Sequence, residues 1–229
     1  MRIAGLVKTS TIDYPGELAA VVFVPGCNYD CFYCHNRGLL AQPPLLDEAE
    51  VMAFLKKRAG MLDGVVVSGG EPTCEAGLLD FVDRIKALGY KVKLDTNGSQ
   101  PELVARLVAE GKLDYVAVDY KAPWRRYREI CGDHAEPEKV KETALFLMEY
   151  GIPFEMRTTV IPQLTLTDLR EMAEGLPPLP RFVLKPYRIP ESYRSEDRFR
   201  IEARPHSPLE IKAMAEAVSE LQPNVEAME

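Results

Sequence analysis

The sequence lacks the features of a membrane-bound or secreted protein. No apolar run reaches the ~18 residues that a membrane-spanning helix needs. Residues 1–16 show neither the apolar stretch nor the small-residue cleavage pattern of a secretory leader. We therefore expect a cytoplasmic protein that has no membrane partner.

An excess of positive charge is also missing. Lys and Arg number 28 against 35 Asp and Glu, which gives a formal net charge of −7. Proteins that bind nucleic acid through its phosphates carry basic stripes, whereas the Arg-rich segments 124–128 and 194–204 are interrupted by acidic and aromatic residues. We expect no nucleic-acid partner, and we interpret these segments as solvated or partner-facing surface.

Cysteine is scarce and unevenly placed. The chain has five, and Cys27, Cys31 and Cys34 fall within a single short segment. An odd number fits a disulfide framework poorly, and a tight group of thiols in a reducing compartment indicates metal or redox chemistry. No second cysteine group exists, so we expect one metal centre. Cys74 is interpreted as a packed thiol at a helix start, and Cys131 as structural.

The 229 residues predict one α/β domain, with a core over about 16–190 and a C-terminal helical extension over about 191–229. Six short apolar runs alternate with amphipathic helical stretches, which indicates a parallel sheet with right-handed crossovers and outer helices. Six units are too few for a closed eight-stranded barrel, so a partial (β/α)6 barrel and an open doubly wound sheet both remain. The predicted strands are 18–24, 64–67, 91–94, 115–118, 154–160 and 182–184. The predicted helices begin after Asp47 and cover about 75–88, 101–110, 137–149, 167–174 and 208–221.

The three clustered cysteines form a C-x3-C-x2-C motif in the loop after the first predicted strand. Such a loop can direct three thiolates at three irons of a cubane and leave the fourth iron without a protein ligand. A zinc knuckle with His35 as the fourth ligand is the alternative. We favour the iron–sulfur cluster because His35 directly follows Cys34 and could hardly reach the same ion in tetrahedral geometry.

Polar and glycine residues follow the later predicted strands, where ligands bind in parallel α/β sheets. Glycine lets a backbone approach a ligand, the Glu71 carboxylate can accept from an ammonium group, and a buried Arg157 needs an anion. Turn chemistry at 95–98 and a surface ion pair between Asp119 and Lys121 are the alternatives. The strand-end sequences are Ser68-Gly69-Gly70-Glu71-Pro72, Asp95-Thr96-Asn97-Gly98, Asp119-Tyr120-Lys121 and Lys185-Pro186-Tyr187-Arg188.

The cysteine motif, with Tyr33 before its last cysteine, resembles the signature of radical S-adenosylmethionine (SAM) enzymes. The flanks Asp13-Tyr14-Pro15-Gly16 and Cys34-His35-Asn36 resemble those of the glycyl-radical-enzyme activases, and among these the anaerobic ribonucleoside-triphosphate reductase activating proteins. The resemblance extends over about residues 3–190. It implies a partial barrel of the radical SAM type, in which Cys27, Cys31 and Cys34 hold one [4Fe–4S] cluster whose unique iron chelates SAM.

The resemblance also implies an activity. The reduced cluster cleaves SAM to methionine and a 5′-deoxyadenosyl radical, which removes a hydrogen atom from a glycine of an anaerobic ribonucleotide reductase or a related glycyl radical enzyme. The electron donor would be of the flavodoxin or ferredoxin type. Asp13 is expected to face the partner's loop, and Arg188 stands where the pyruvate formate-lyase activase has a histidine. The implied SAM-binding residues are Tyr33, His35, Gly69, Gly70, Glu71, Asp95, Thr96, Asp119, Lys121, Arg157 and Arg188.

Two other functions remain open. A radical SAM oxidoreductase acting on a small molecule, such as a purine-like precursor, would keep the same core motifs. A simple iron–sulfur electron carrier would leave the GGEP, DTNG and DYK sequences that begin at 69, 95 and 119 unexplained.

Overall fold

The computed structural model describes residues 1–228, and these form an α/β protein. Within them the strands lie in one sheet in the order in which they occur along the chain. The neighbouring strands β2–β3, β3–β4, β6–β7 and β7–β8 are parallel, and β1 is antiparallel to β2. The strands are β1 (Gly5–Ser10), β2 (Ala19–Val24), β3 (Gly64–Gly69), β4 (Lys91–Thr96), β5 (Tyr115–Asp119), β6 (Phe154–Val160), β7 (Phe182–Pro186) and β8 (Val225–Ala227).

The helices follow the strands as βα units require. As predicted, the Asp47 side chain caps the first of them by accepting from the Ala49 N–H at 2.8 Å. The helices are α1 (Glu48–Arg58), α2 (Leu78–Ala87), α3 (Pro101–Ala109), α4 (Tyr127–Cys131), α5 (Pro137–Tyr150), α6 (Leu166–Glu174), α7 (Arg198–Ile201) and α8 (Pro208–Val218).

The six predicted strands are confirmed as β2 to β7, and the structure adds β1 and β8 at the two ends of the sheet order. Apolar periodicity could not identify β1, because its only large apolar residues are the adjacent Leu6 and Val7, and Val7, Lys8 and Thr9 are exposed. β8 has only three residues, and it lies in the segment that we expected to be helical. Several strands also continue one or two residues beyond their apolar run, so that β3 includes Ser68 and Gly69 and β4 includes Asp95 and Thr96.

The described chain divides into two compact units by its internal contacts. The first consists of Met1–Asn28, Gly38–Thr96 and Glu102–Ala117. The second consists of Tyr29–Arg37, Asn97–Pro101 and Val118–Glu229, of which residues up to 228 are described. The domain boundaries proposed from the sequence remain a prediction.

The first unit is built on β2, β3 and β4, whose apolar residues are buried. Helix α2 contributes four buried residues at helical spacing, Leu78, Phe81, Val82 and Ile85, as its periodicity predicted. Tyr14 packs against Ala19, Val21 and Val66 in a separate cluster, and its ring lies 5.9 Å from that of Tyr115.

The ends of β2 and β3 meet with almost no space between their backbones. The Gly70 N–H donates to the Val24 carbonyl at 2.9 Å, and the Glu71 N–H donates to the Gly26 carbonyl at 2.8 Å. A Cβ atom on Gly70 would lie 1.7 Å from the Gly26 oxygen, and Gly69 has a φ of +122°. The two glycines are therefore required by the approach of the chain to itself.

The second unit contains β6, β7 and β8 together with the helices of the C-terminal half. Helix α4 buries Tyr127, Ile130 and Cys131. Helix α5 is tied to the segment after β4 because the Thr143 hydroxyl donates to the Gly98 carbonyl at 2.7 Å.

No helix within residues 1–228 is both long enough and apolar enough to cross a membrane.

The Gly70→Ala variant tests the contact between the ends of β2 and β3. We expect its free energy of unfolding to fall by about 3 kcal/mol, at the upper end of the range for overpacking, because the added methyl group collides with a carbonyl that is itself fixed. Chemical denaturation measures the loss. The control is Gly38→Ala, whose Cβ would meet nothing within 4 Å and which should stay within about 0.5 kcal/mol of the parent. Equal stability of the two variants would mean that the strand ends have room for a side chain at Gly70.

Candidate active site

The part of the cysteine loop in the second unit is bound to the C-terminal turn of α4. The Asp30 N–H donates to the Cys131 carbonyl at 2.9 Å, and the Phe32 N–H donates to the Ile130 carbonyl at 3.3 Å. Gly132, with a φ of +92°, ends the helix beside Asp30. These bonds on both sides of Cys31 fix its backbone and satisfy buried polar groups.

Arginines from outside the loop hold the same segment. The Asp30 carboxylate accepts from Arg37 at 2.6 Å and from Arg194 at 2.7 Å. The Arg200 guanidinium lies 3.7 Å from the ring centre of Phe32, a cation–π contact, and it also donates to the Glu129 carbonyl at 3.3 Å. Part of the segment that we interpreted as solvated or partner-facing surface therefore supports the cysteine loop.

The thiols of the second unit differ in their electrostatic surroundings. A hydrogen bond with the Cys131 thiol lowers the pKa of Cys31; burial acts in the opposite direction, and the Lys121 charge adds to the lowering. Burial, and then the bond with Cys31, raises the pKa of Cys131 well above its usual value. Burial also raises the pKa of Cys34. Cys31 is thus the thiol of this unit that most favours the thiolate form, which binds iron.

Cys27 belongs to the first unit, where it directly follows Gly26, and its Sγ lies 3.9 Å from the Asn28 Oδ1. Within residues 1–228, no three side chains of the His, Cys, Asp and Glu types are arranged to hold one metal ion. His35, the fourth ligand in the zinc alternative, is exposed.

The carboxylate of Glu71 is completely buried in the first unit. Its Oε1 accepts from the Thr73 hydroxyl at 2.6 Å, the Thr73 N–H at 3.1 Å and the Thr96 hydroxyl at 2.7 Å. Glu71 thereby caps the short 3-10 turn Pro72–Cys74, and it joins the end of β3 to the end of β4. The predicted site residues Glu71 and Thr96 are in direct contact.

Asp95 at the end of β4 joins a second polar group of the same unit. It accepts from the Ser68 hydroxyl at 3.1 Å and pairs with Lys93, whose side chain is 1% exposed. The Lys93 ammonium also lies 5.9 Å from the Tyr115 ring centre. Lys93 is not among the residues predicted from the sequence, because the alternation Lys91-Val92-Lys93-Leu94 is typical of a strand whose lysines face solvent.

Asp119 and Lys121 at the end of β5 and Arg157 in the middle of β6 form an ion-pair group in the second unit. Asp119 accepts from Lys121 at 2.9 Å and from Arg157 at 3.0 Å. Burial by itself would raise the pKa of Asp119, but the charges of Lys121 and Arg157 outweigh it and hold that pKa well below its usual value. The cations are largely buried, with 17% and 12% of their side chains exposed, so the pair is not the surface ion pair of the alternative interpretation.

The remaining residues discussed in the sequence analysis differ in how far they are buried. Tyr33 is buried, and burial raises its pKa well above the usual value. His35 and Arg188 are exposed, and within residues 1–228 Arg188 makes no hydrogen bond or ion pair. Cys74 is exposed, so the interpretation as a packed thiol is wrong.

Asp13 does not lie where we expected it. The hairpin of β1 and β2 is antiparallel, so the connection at 11–18 lies at the edge where β2 begins. Cys27 and Glu71 instead follow the ends of β2 and β3. Asp13 accepts from the Ser10 hydroxyl inside its own turn, and we no longer consider it a substrate-facing residue.

The chain is similar to known proteins over most of its length. Residues 21–176, more than half of the chain, match the family model of the Radical SAM superfamily. The chain belongs to the radical SAM superfamily. Enzymes of this superfamily use a [4Fe–4S] cluster and SAM, so the cofactors predicted from the resemblance are confirmed as those of the family.

Among curated relatives, a Methanocaldococcus jannaschii protein that carries the name of a glycyl-radical enzyme activating enzyme is 30% identical over 208 residues, which cover 85% of this chain and 83% of the relative. A Thermococcus kodakarensis protein named as a GTP 3′,8-cyclase is 31% identical over 155 residues, 65% of this chain. The match covers only 49% of that cyclase.

A solved structure of Streptococcus suis SuiB bound to S-adenosylmethionine superposes with a TM-score of 0.66 at 15% identity. The superposition covers 91% of this chain and 52% of SuiB. At this identity the likeness concerns the fold alone. Together with the open order of the strands in residues 1–228, it confirms the predicted partial barrel of the radical SAM type.

The Arg200→Ala variant tests the support of the cysteine loop. A cation–π contact contributes about 1 kcal/mol, so backbone amides of 29–35 should exchange about five times faster with solvent deuterium. Mass spectrometry of the cluster-free protein measures the rates. Arg198→Ala, in the same short helix but with a side chain 71% exposed and paired with Glu202, is the matched control and should leave these rates unchanged. Equal rates in the Arg200→Ala variant and the parent would refute the role of this contact.

Proposed function

We propose that this radical SAM enzyme installs a glycyl radical on a partner protein, an anaerobic ribonucleotide reductase or a related glycyl radical enzyme. The observation that carries the proposal is the match to the Methanocaldococcus relative, which extends over more than four fifths of both chains. The match to the cyclase, in contrast, leaves half of that protein without a counterpart here. The DYPG and CHN flanks at 13 and 34 support the same subgroup.

Cys27, Cys31 and Cys34 would hold the cluster in this proposal. The chemistry of the donor set fits, since the three residues are thiols at the spacing of the motif, and the lowered pKa of Cys31 favours the thiolate that iron binds. When bound, the cluster and SAM supply an electron and a 5′-deoxyadenosyl radical that removes a hydrogen atom from the substrate. A flavodoxin- or ferredoxin-type protein would deliver the electron.

The residues at the strand ends would hold SAM. Glu71 is a buried carboxylate whose hydrogen bonds orient it, and a carboxylate is the acceptor that the ammonium of SAM needs. Arg157 pairs with Asp119 at 3.0 Å and lies 4.0 Å from the Glu155 carboxylate, and the SAM carboxylate would be a further partner for its guanidinium. Gly69 and Gly70 leave the end of β3 without side chains. The other residues proposed to contact SAM are Tyr33, His35, Asp95, Thr96 and Arg188.

The first experiment tests SAM cleavage. The protein is reconstituted anaerobically with iron and sulfide, reduced with dithionite and incubated with SAM, and 5′-deoxyadenosine is measured by chromatography. We expect the Cys31→Ala variant to lose the product completely, since it removes one of three ligands. Cys74→Ala, which removes an exposed thiol outside the motif, should retain it. Product from the Cys31→Ala variant would show that the proposed ligand set is wrong, and no product from the parent would favour a simple electron carrier.

The second experiment tests the substrate. The loaded protein, SAM and reductant are incubated with an anaerobic ribonucleotide reductase, and electron paramagnetic resonance is used to detect a glycine-centred radical. The control is the same reductase with its radical-bearing glycine replaced by alanine, which should give no signal. Absence of the radical from an enzyme that does cleave SAM would count against the activase proposal.

A small-molecule substrate is the second candidate function. It is favoured by the GTP 3′,8-cyclase relatives, whose substrate is a purine nucleotide. The test is incubation of the loaded enzyme with GTP in the absence of any protein partner. Consumption of GTP together with SAM would support this candidate, and its absence alongside a glycyl radical on the reductase would support the activase.

A further inference from the structure

We propose that Lys93 is a positioning residue for SAM binding: together with the Ser68 hydroxyl, its buried ammonium holds the Asp95 carboxylate in one orientation at the end of β4. This inference rests on the proposed function, because it takes Asp95 as a residue that contacts SAM. No motif of the sequence includes Lys93, which lies inside β4, two residues before Asp95.

Strand geometry explains why the three side chains meet. Side chains two positions apart on a strand point to the same face, so Lys93 and Asp95 share one face of β4. Ser68 and Asp95 directly follow Val67 and Leu94, which are paired neighbours in β3 and β4. The Lys93 ammonium donates to Oδ1 of Asp95, and the Ser68 hydroxyl donates to Oδ2 at 3.1 Å. Each carboxylate oxygen therefore has its own donor, which fixes the orientation of the group.

Burial gives the two members of the ion pair different roles. The Lys93 side chain is 1% exposed, whereas the Asp95 side chain is 13% exposed. Among residues 1–228, Asp95 is the only carboxylate that pairs with Lys93. A buried ammonium costs free energy unless it is paired, so this lysine depends on Asp95. Asp95 is the member that a ligand can reach, and Lys93 supports it from the interior.

Aromatic rings close the other side of the Lys93 ammonium. The Tyr115 ring centre lies 5.9 Å from Nζ, within the range of a cation–π contact. The Tyr115 ring in turn packs at 5.9 Å from that of Tyr14, which is 3% exposed. With rings on one side and a carboxylate on the other, the ammonium has no route to solvent. It therefore stays directed at Asp95.

Fixing the carboxylate in advance favours binding. A group that is already held in one orientation loses little conformational freedom when a ligand arrives, so less of the interaction energy is spent on ordering it. Methionine at position 93 has a similar length but carries no charge and donates no hydrogen bond. The Asp95 carboxylate would lose its counter-charge and the donor to Oδ1. We therefore expect the substitution to weaken the affinity for SAM.

The test is a double-mutant cycle on Lys93→Met and Asp95→Asn in the cluster-loaded protein. The dissociation constant of SAM is measured by equilibrium dialysis before any reductant is added, so that no SAM is cleaved. Loss of one hydrogen bond should raise this constant about fivefold in the Lys93→Met variant. In the Asp95→Asn background the same substitution should change it less than about twofold, because Lys93 acts through that carboxylate. Lys91→Met is the control, since this lysine of the same strand is 53% exposed and pairs with Glu17.

Each outcome decides one question. If the loaded parent does not bind SAM, the proposed function fails before this inference is reached. If Lys93→Met or Asp95→Asn binds SAM as tightly as the parent, the inference is overturned. Equal losses from Lys93→Met in both backgrounds would indicate a structural role and would also overturn it. If Lys93→Met does not load a cluster, Ser68→Ala decides: a loss of affinity that disappears in the Asp95→Asn background supports the inference, and unchanged affinity contradicts it.

Discussion

The close backbone contact between the ends of β2 and β3 is the constraint on which the candidate site depends. Gly70 and Glu71 donate to the carbonyls of Val24 and Gly26, and no Cβ atom fits between the two segments at Gly70. The same two bonds fix Gly26, from which the cysteine loop starts, and direct the Glu71 side chain inward. Because the backbone N–H and C=O groups satisfy each other there, the interior can accept the Glu71 carboxylate together with the hydroxyls of Thr73 and Thr96.

The rest of the cysteine loop relies on a different kind of support. Its backbone bonds to the end of α4, and the arginines at 37, 194 and 200 secure Asp30 and Phe32. A loop of this kind carries function only when a rigid framework positions it. The result is a segment in which the thiols of Cys31 and Cys34 are held among buried groups without any regular secondary structure of their own.

The family core and its local additions play separate roles in this protein. The superfamily match ends at residue 176, yet Arg194 and Arg200 lie beyond it and contact the loop that carries the family motif. The support that these two arginines give to the cysteine loop therefore comes from a part of the chain outside the matched region.

Local sequence patterns predicted six of the strands and the cysteine motif. Apolar periodicity identified β2 to β7, because buried strands and helix faces repeat at 2 and 3.6 residues, and the C-x3-C-x2-C spacing identified the metal chemistry. Local sequence also placed Glu71, Asp95 and Asp119 at strand ends and Arg157 inside a strand. It could not find the exposed edge strand β1 or the short β8, which form only by pairing with a neighbour.

Contacts between distant segments decided the rest. Tertiary structure put Asp13 at the sheet edge where β2 begins, opposite the edge where β2 ends and Cys27 follows. The composition of a strand does not predict whether it pairs in the parallel or the antiparallel direction. Tertiary structure also brought Arg194 to Asp30, 164 positions away, and Cys131 to Cys31. Periodicity and motif spacing report only what a residue shares with its near neighbours along the chain, so pairings over such distances follow from the packing of the whole fold.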